Sequence, residues 1–248
     1  MRWRRHSEAE APPDLWRWVL PRHGAVWDDL EPDRRRRLEE LTRRFLATKE
    51  FEAAGDAEID DTTRTTIAAH ACLLALDLGL DVYRDVHSVI VYPGTVVKRG
   101  AHADPSVPGV HRSCATPLAG EAMLHGPVVI TWDAVRSGVA HPEHGRNVVY
   151  HEFAHKIDMR SGDADGIPPV GNRAGMVHWE RLIDDTLAAV RAGAVADPVL
   201  GSYAEVNAAE LFAVATETLF TVPDRLQRHH PELHRMLHAF YRPEPSRS

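Results

Sequence analysis

One stretch constrains this chain more than any other: Val148-Val149-Tyr150-His151-Glu152-Phe153-Ala154-His155-Lys156-Ile157-Asp158. It holds His-Glu-x-x-His inside an apolar run, with no Gly or Pro between Asn147 and Met159. Those features predict a buried helix. On such a helix His151 and His155, four residues apart, lie one turn above each other on one face. Two imidazoles at that spacing can hold one Zn²⁺, with Glu152 beside them as general base. The chain carries 16 histidines, which raises the odds of a chance match. The flanks argue against a solvated face with two idle imidazoles. Burying them unpaired costs roughly 1–3 kcal/mol per unsatisfied group.

A catalytic zinc needs a third protein ligand and an open position. The metzincin pattern puts a histidine six residues after the second motif histidine; here that position is Ser161, which excludes that class. A glutamate from a later helix is the other common solution. The segment Asn207-Ala208-Ala209-Glu210-Leu211-Phe212-Ala213-Val214-Ala215-Thr216-Glu217 offers two, seven residues apart and so on one face. Carboxylates on an otherwise apolar face call for a cation. Glu210 is assigned as the third ligand. Glu217 and Asp158 are the acceptors expected behind a ligand histidine. His230, His234 and His238 repeat the four-residue spacing, but Arg235 stands where the base belongs, so no catalytic role is expected there.

The rest of the chain predicts an α+β fold. Residues 1–14 read as a loose tail, 15–241 as a single domain and 242–248 as a second tail. Leu15 to Leu30, with Trp16, Trp18 and Trp27, reads as an irregular wrap. Helices are predicted from Pro32 to Thr48, from an Asp61 or Thr62 cap to Leu78, over Arg173–Ala192, from an Asn207 cap to Phe220, and from Pro231 to Tyr241. The run Arg34–Arg37 lies on a predicted solvated helix face. Strands are predicted at Val86–Tyr92 and Pro127–Trp132. Thr95–Leu118, Ser137–Gly145 and Ser161–Gly171 read as loops. A net charge of −7 argues against a nucleic-acid partner. Cys72 and Cys114 make no CxxC pair and no disulfide framework. The basic Met1–His6 is not followed by the apolar core of a signal peptide, and no apolar run approaches the roughly 20 residues of a membrane span. A cytoplasmic protein without a membrane partner is expected.

Several segments together resemble a known family. They are Phe45–Phe51, Ile67–Leu73, Val91-Tyr92-Pro93-Gly94, Gly126–Trp132, His151–Asp158, and Tyr203-Ala204 through Glu210 to Glu217. In that order, from about residue 16 to 241, they are similar to the family of Mlc titration factor A, a group of bacterial zinc peptidases. The resemblance implies a gluzincin-like, zincin-type domain: mostly helical, with a small mixed sheet and a core similar to that of anthrax lethal factor. It implies one zinc per chain on His151, His155 and Glu210, with Glu152 as base. It implies that Tyr203, seven residues before Glu210, faces the zinc. Aminopeptidase-like activity on short peptides is implied, as is binding of an Mlc-like transcriptional repressor. The chain departs from the family at Ala208, where Pro is frequent, and across Thr95–Leu118 and the N-terminal tail.

These readings converge on peptide hydrolysis. Glu152 takes a proton from water and returns it to the leaving amine, while Tyr203 assists the oxyanion. An edge strand beside the motif helix pairs with the peptide, and Val128–Trp132 is the expected edge. Gly120-Glu121-Ala122-Met123 resembles the exopeptidase strand motif, which makes Glu121 an expected captor of the substrate amine. The alternatives are a regulatory protein that sequesters a repressor of sugar uptake, and a zinc hydrolase of non-peptide amides. A purely structural bundle leaves Glu152 and Glu210 unexplained beside two histidines.

Overall fold

Helix α1 (Pro32–Thr48) opens on a proline, whose fixed φ suits a first turn, and buries Leu38, Leu41, Thr42 and Phe45. It packs on α2 (Asp61–Leu74). These coordinates are a computed structural model that describes residues 30–243, apart from 56, 95, 104–110, 119, 124–125 and 194–195. For 96–103 and 111–118 only the backbone path is described. The N-terminal tail and the Trp16–Trp27 wrap lie outside the described residues, as do residues 244–248.

The cap of α2 is Asp60, whose carboxylate accepts from the Thr63 amide at 2.7 Å. The helix is buried almost all round, from Thr65 to Leu74, as befits a central element. It ends one turn before the expected Leu78. Arg37 Nε donates to the Leu76 carbonyl at 2.7 Å, and Arg34 forms a two-pronged pair with Asp77 at 3.0 and 2.6 Å. Two members of the basic run therefore hold the α1–α2 corner, while Arg36 pairs with Asp33 at the surface. Gly79, at φ +80°, turns the chain into a 3₁₀ turn at Leu80–Tyr83.

Strands β1 (Glu50–Ala53) and β2 (Ser88–Tyr92) pair in parallel. Next come β3 (Val96–Ala103) and β4 (His111–Leu118), an antiparallel ribbon in register from Val96↔Leu118 to Ala103↔His111. This corrects the loop expected over Thr95–Leu118. Each strand of a two-stranded ribbon has an outer edge, where a proline is tolerated, and Pro117 stands opposite Val97, one pair from the ribbon's end. Strand β5 (Gly120–Ala122) runs antiparallel to β6 (Val128–Thr131), which runs parallel to β2. The four-stranded order is β1-β2-β6-β5. Val89 and Val91 of β2 and Val128 and Ile130 of β6 are buried, the period of two for one covered face.

Helix α3 (Trp132–Ala140) and a 3₁₀ turn at Pro142–His144 replace most of the loop expected over Ser137–Gly145. Within α3, Gly138 allows close approach: a Cβ there would stand 2.9 Å from the Arg146 carbonyl oxygen. Helix α4 (Val148–Asp158) carries the motif and is buried from Val149 onward. Phe153 meets Phe45 and Tyr83 edge-on, at centroid distances of 5.7 and 4.9 Å. Helices α5 (Arg173–Ala192), α6 (Ala208–Thr221), α7 (Pro223–His229) and α8 (Pro231–Tyr241) complete the α+β fold. Helix α7 was not anticipated; Pro223 starts it instead of ending its predecessor.

Gly138 gives a signed prediction. Alanine in a helix interior normally gains up to about 1 kcal/mol over glycine, but here the methyl meets backbone. Gly138→Ala is expected to destabilise by about 1–3 kcal/mol, as overpacking does. A denaturant midpoint that rises instead contradicts the close contact between α3 and the entry to α4.

Candidate metal centre

Asn147 starts the motif helix: its side-chain oxygen accepts from the Val149 and Tyr150 amides at 3.0 and 3.2 Å. Asn207 does the same for α6, accepting from the Glu210 amide at 2.9 Å. The two caps set where each helix begins. The helices then bring His151, His155 and Glu210 together. His151 Nε2 lies 3.1 Å from Glu210 Oε2, His155 Nε2 lies 3.5 Å from the same oxygen, and the two nitrogens are 3.2 Å apart. A tetrahedral ion with bonds of about 2.0–2.1 Å separates its ligands by roughly 3.3 Å. The triangle has those dimensions. Glu210 Oε2 is buried and receives no hydrogen bond among the described residues. An acceptor in that state, facing two imidazole nitrogens, fits a cation.

Glu217 organises the triangle from behind. Its Oε1 accepts from His151 Nδ1 at 2.6 Å, and its Oε2 accepts from the Asn147 amide at 2.8 Å. A proton held on Nδ1 makes Nε2 the nitrogen that faces the other two donors, free to bind a cation once it gives up its own proton. Burial pushes His151 down, but Glu210 and Glu217 more than offset it and carry its pKa up to about 10. Burial alone would raise Glu210; the two histidines instead hold it down at about 2. Both shifts say that the triangle attracts one positive charge. His155 Nδ1, by contrast, is buried and has no hydrogen-bond partner among the described residues.

Glu152 is only 4% exposed. Burial pushes its carboxyl up to about 8, opposed by His151 and reinforced by Glu210, Glu217 and Glu121. Strand β5 presses against it: a Cβ on Gly120 would fall 2.5 Å from Glu152 Oε1. Tyr203 sits on a 3₁₀ turn (Ser202–Glu205), half exposed, with its ring 5.7 Å from that of His151. Burial and then the charges of Glu210, Glu152 and Glu217 push its hydroxyl up to about 12, so it stays a donor. Arg191 anchors this turn by donating to the Glu205 and Val206 carbonyls, each at 2.7 Å.

Two expectations change. Strand β6 is interior, between β2 and β5, so the edge beside the motif helix is β5 and not Val128–Trp132. Glu121 lies on that edge, in register with Val129. Asp158 does not back a ligand histidine: its Oδ2 accepts from the Gly166 amide at 2.9 Å. Gly166, at φ +79°, would place a Cβ 2.5 Å from the Ala208 carbonyl oxygen, and Trp179 Nε1 donates to the Gly166 carbonyl at 2.8 Å. Asp158 and Trp179 thus pin a loop against the start of α6, two residues before Glu210. The C-terminal histidines do not converge: His230 pairs with Asp197 at 3.0 Å, while the His234 and His238 rings stack at 5.9 Å.

Lys156 escaped the sequence reading, although a lysine within an apolar helix run is itself a signal. Its Nζ donates to the Gly126 carbonyl at 2.8 Å and to that of Met123. It therefore ties the turn between β5 and β6 to α4.

Asp158 carries a pH prediction. Burial raises its carboxyl from 3.8 to about 7. A raised folded value means that the protonated form stabilises the fold fully below pH ~4, and that this contribution is lost as pH climbs to ~7. Asparagine keeps an acceptor for the Gly166 amide and cannot ionise. Between pH 4 and 8, wild type is expected to lose on the order of 2–4 kcal/mol relative to Asp158→Asn. Parallel stability curves for the two proteins would contradict the burial of an ionisable Asp158.

Comparison with known proteins agrees with this geometry. The family described as glucose-regulated metallo-peptidase M90 matches residues 1–242. An uncharacterized protein of Synechocystis sp. is 30% identical over 98% of this chain and 89% of its own length. Proteins named Mlc titration factor A from Salmonella arizonae and Salmonella gallinarum are each 32% identical, over 89% and 93% of this chain and 92% of their own lengths. A match along nearly the whole chain, with a metal-fitting triangle between its motif helix and α6, places this protein in the glucose-regulated metallo-peptidase family M90.

Proposed function

We propose that this protein is a cytoplasmic zinc-dependent peptidase, aminopeptidase-like, that hydrolyses short peptides. The observation that carries the reading is the triangle of His151, His155 and Glu210, with buried Glu152 adjoining it and an edge strand against Glu152. Two imidazoles and a carboxylate are the donor set of a gluzincin-like zinc site. Zn²⁺ when bound supplies Lewis acidity toward water and the scissile carbonyl.

The chain's own groups do the rest. Glu152, buried beside the triangle, accepts the proton of the attacking water and delivers it to the leaving amine. The Tyr203 hydroxyl, protonated at neutral pH, donates a hydrogen bond to the developing oxyanion. Strand β5, outermost in the described sheet, offers its outer edge to an extended peptide, so that the scissile bond is laid beside Glu152. Lys156 holds the turn that keeps this edge in place. Glu121, on the same strand, is suited by charge to receive a free N-terminal amine.

A second reading draws on the relatives' name. Proteins 32% identical to this chain are called Mlc titration factor A, which supports binding of an Mlc-like transcriptional repressor by this chain as well. The two activities are compatible, since a repressor can dock without reaching the metal.

The test is hydrolysis of amino-acid p-nitroanilides and N-blocked peptides by zinc-loaded wild type and Glu152→Gln. The substitution keeps shape and removes the proton acceptor. Wild-type turnover is expected to fall by about 10²-fold or more in the variant, with free N-termini preferred over blocked ones. Equal activity in both proteins would reject Glu152 as the base, and a preference for blocked substrates would reject the aminopeptidase assignment.

A further inference from the structure

We infer that His141, Glu143 and His144 form a second, surface site for a divalent transition metal, separate from the triangle inside the fold. All three side chains are exposed, and one ligand atom from each lies within 4.8 Å of the others. His141 Nδ1 is 3.2 Å from Glu143 Oε1, and His144 Nε2 is 3.7 Å from the same oxygen. Those spacings bracket the roughly 3.3 Å edge of a tetrahedral zinc site.

The local backbone explains why three side chains from one short turn converge. Pro142–His144 is a 3₁₀ turn with His141 at its cap. In that geometry residues i and i+3 eclipse, so His141 and His144 stack, with centroids 5.1 Å apart and planes inclined by only 19°. The turn is also held from outside. Gly145, in the left-handed region at φ +71°, closes it with a bond to the Pro142 carbonyl at 3.0 Å. Arg225 Nη1 donates to the Glu143 carbonyl at 3.1 Å. The backbone of the turn is therefore fixed before any ion arrives, and the exposed rings of His141 and His144 need only rotate from their stacked pose to share it.

Two imidazole nitrogens and one carboxylate oxygen select Zn²⁺, Ni²⁺ or Cu²⁺ over Mg²⁺ or Ca²⁺. Among the described residues no buried base stands beside this cluster, so its role is binding and bracing. The turn runs directly into Asn147, the cap of α4 whose amide is bonded to Glu217. An ion that clamps residues 141–144 stiffens the entry to the motif helix and stabilises the fold by mass action.

The experiment uses the full chain and Zn²⁺ alone as probe. Equilibrium dialysis at matched free zinc compares wild type with His141→Ala/His144→Ala, and with His155→Ala, which breaks only the interior triangle. The surface double variant is expected to bind one equivalent fewer than wild type and to lose part of the zinc-induced rise in Tm, while its metal-free Tm is unchanged. The His155→Ala protein is expected to keep the surface equivalent. Glu143→Gln is expected to weaken that equivalent by about tenfold or more. Equal stoichiometry in wild type and the double variant overturns the inference, because any extra zinc then sits on other histidines. This outcome is independent of whether the protein cleaves peptides.

Discussion

The structure turns on one carboxylate. Glu217 takes a hydrogen bond from the Asn147 amide with one oxygen and from His151 Nδ1 with the other. The first contact places a negative charge at the start of α4, where unpaired amides and the helix dipole favour it. The second sets the tautomer and the aim of a metal-facing imidazole. Both contacts are buried, and breaking a buried charged pair by removing one partner costs about 3–5 kcal/mol. Glu217 therefore couples the packing of α6 on α4 to the geometry of the triangle. Helix register and ligand position are one constraint.

Small residues make that packing possible. Gly138 lets α3 approach the Arg146–Asn147 backbone, and Gly166 lets a loop approach Ala208 at the start of α6. Gly120 lets the edge strand approach Glu152. In each case a methyl group would fall closer than 3 Å to another atom. Polar side chains then fix what the glycines allow. Asp158 and Trp179 hold Gly166, and Lys156 holds the turn after β5. The catalytic reading depends on this outer set as much as on the ligands, since Glu152 and Glu210 owe their positions to it.

Much of this was legible before any coordinates. The motif helix, the Asn207 boundary of α6 and its two glutamates follow from periodicity and capping, which are local. The pairing of Glu210 with the histidines needed only the observation that a buried carboxylate wants a cation. What stayed hidden was set by distant contacts. Nothing local tells a reader that β6 is interior and β5 an edge, because that order arises from pairing with β2. The β3–β4 ribbon was obscured by prolines that an isolated ribbon tolerates. Asp158 carried the right chemistry for backing a histidine, yet its side chain turns to the Gly166 amide.

The central claim is that His151 Nε2, His155 Nε2 and Glu210 Oε2 jointly hold one metal ion. An anomalous difference map from a zinc-soaked crystal, recorded on both sides of the zinc edge, tests it directly. The account predicts an interior peak at about 2.0–2.2 Å from all three atoms, with Glu217 still bonded to His151 Nδ1. An interior peak that leaves Glu210 out, or no peak between α4 and α6 at full occupancy elsewhere, would contradict it.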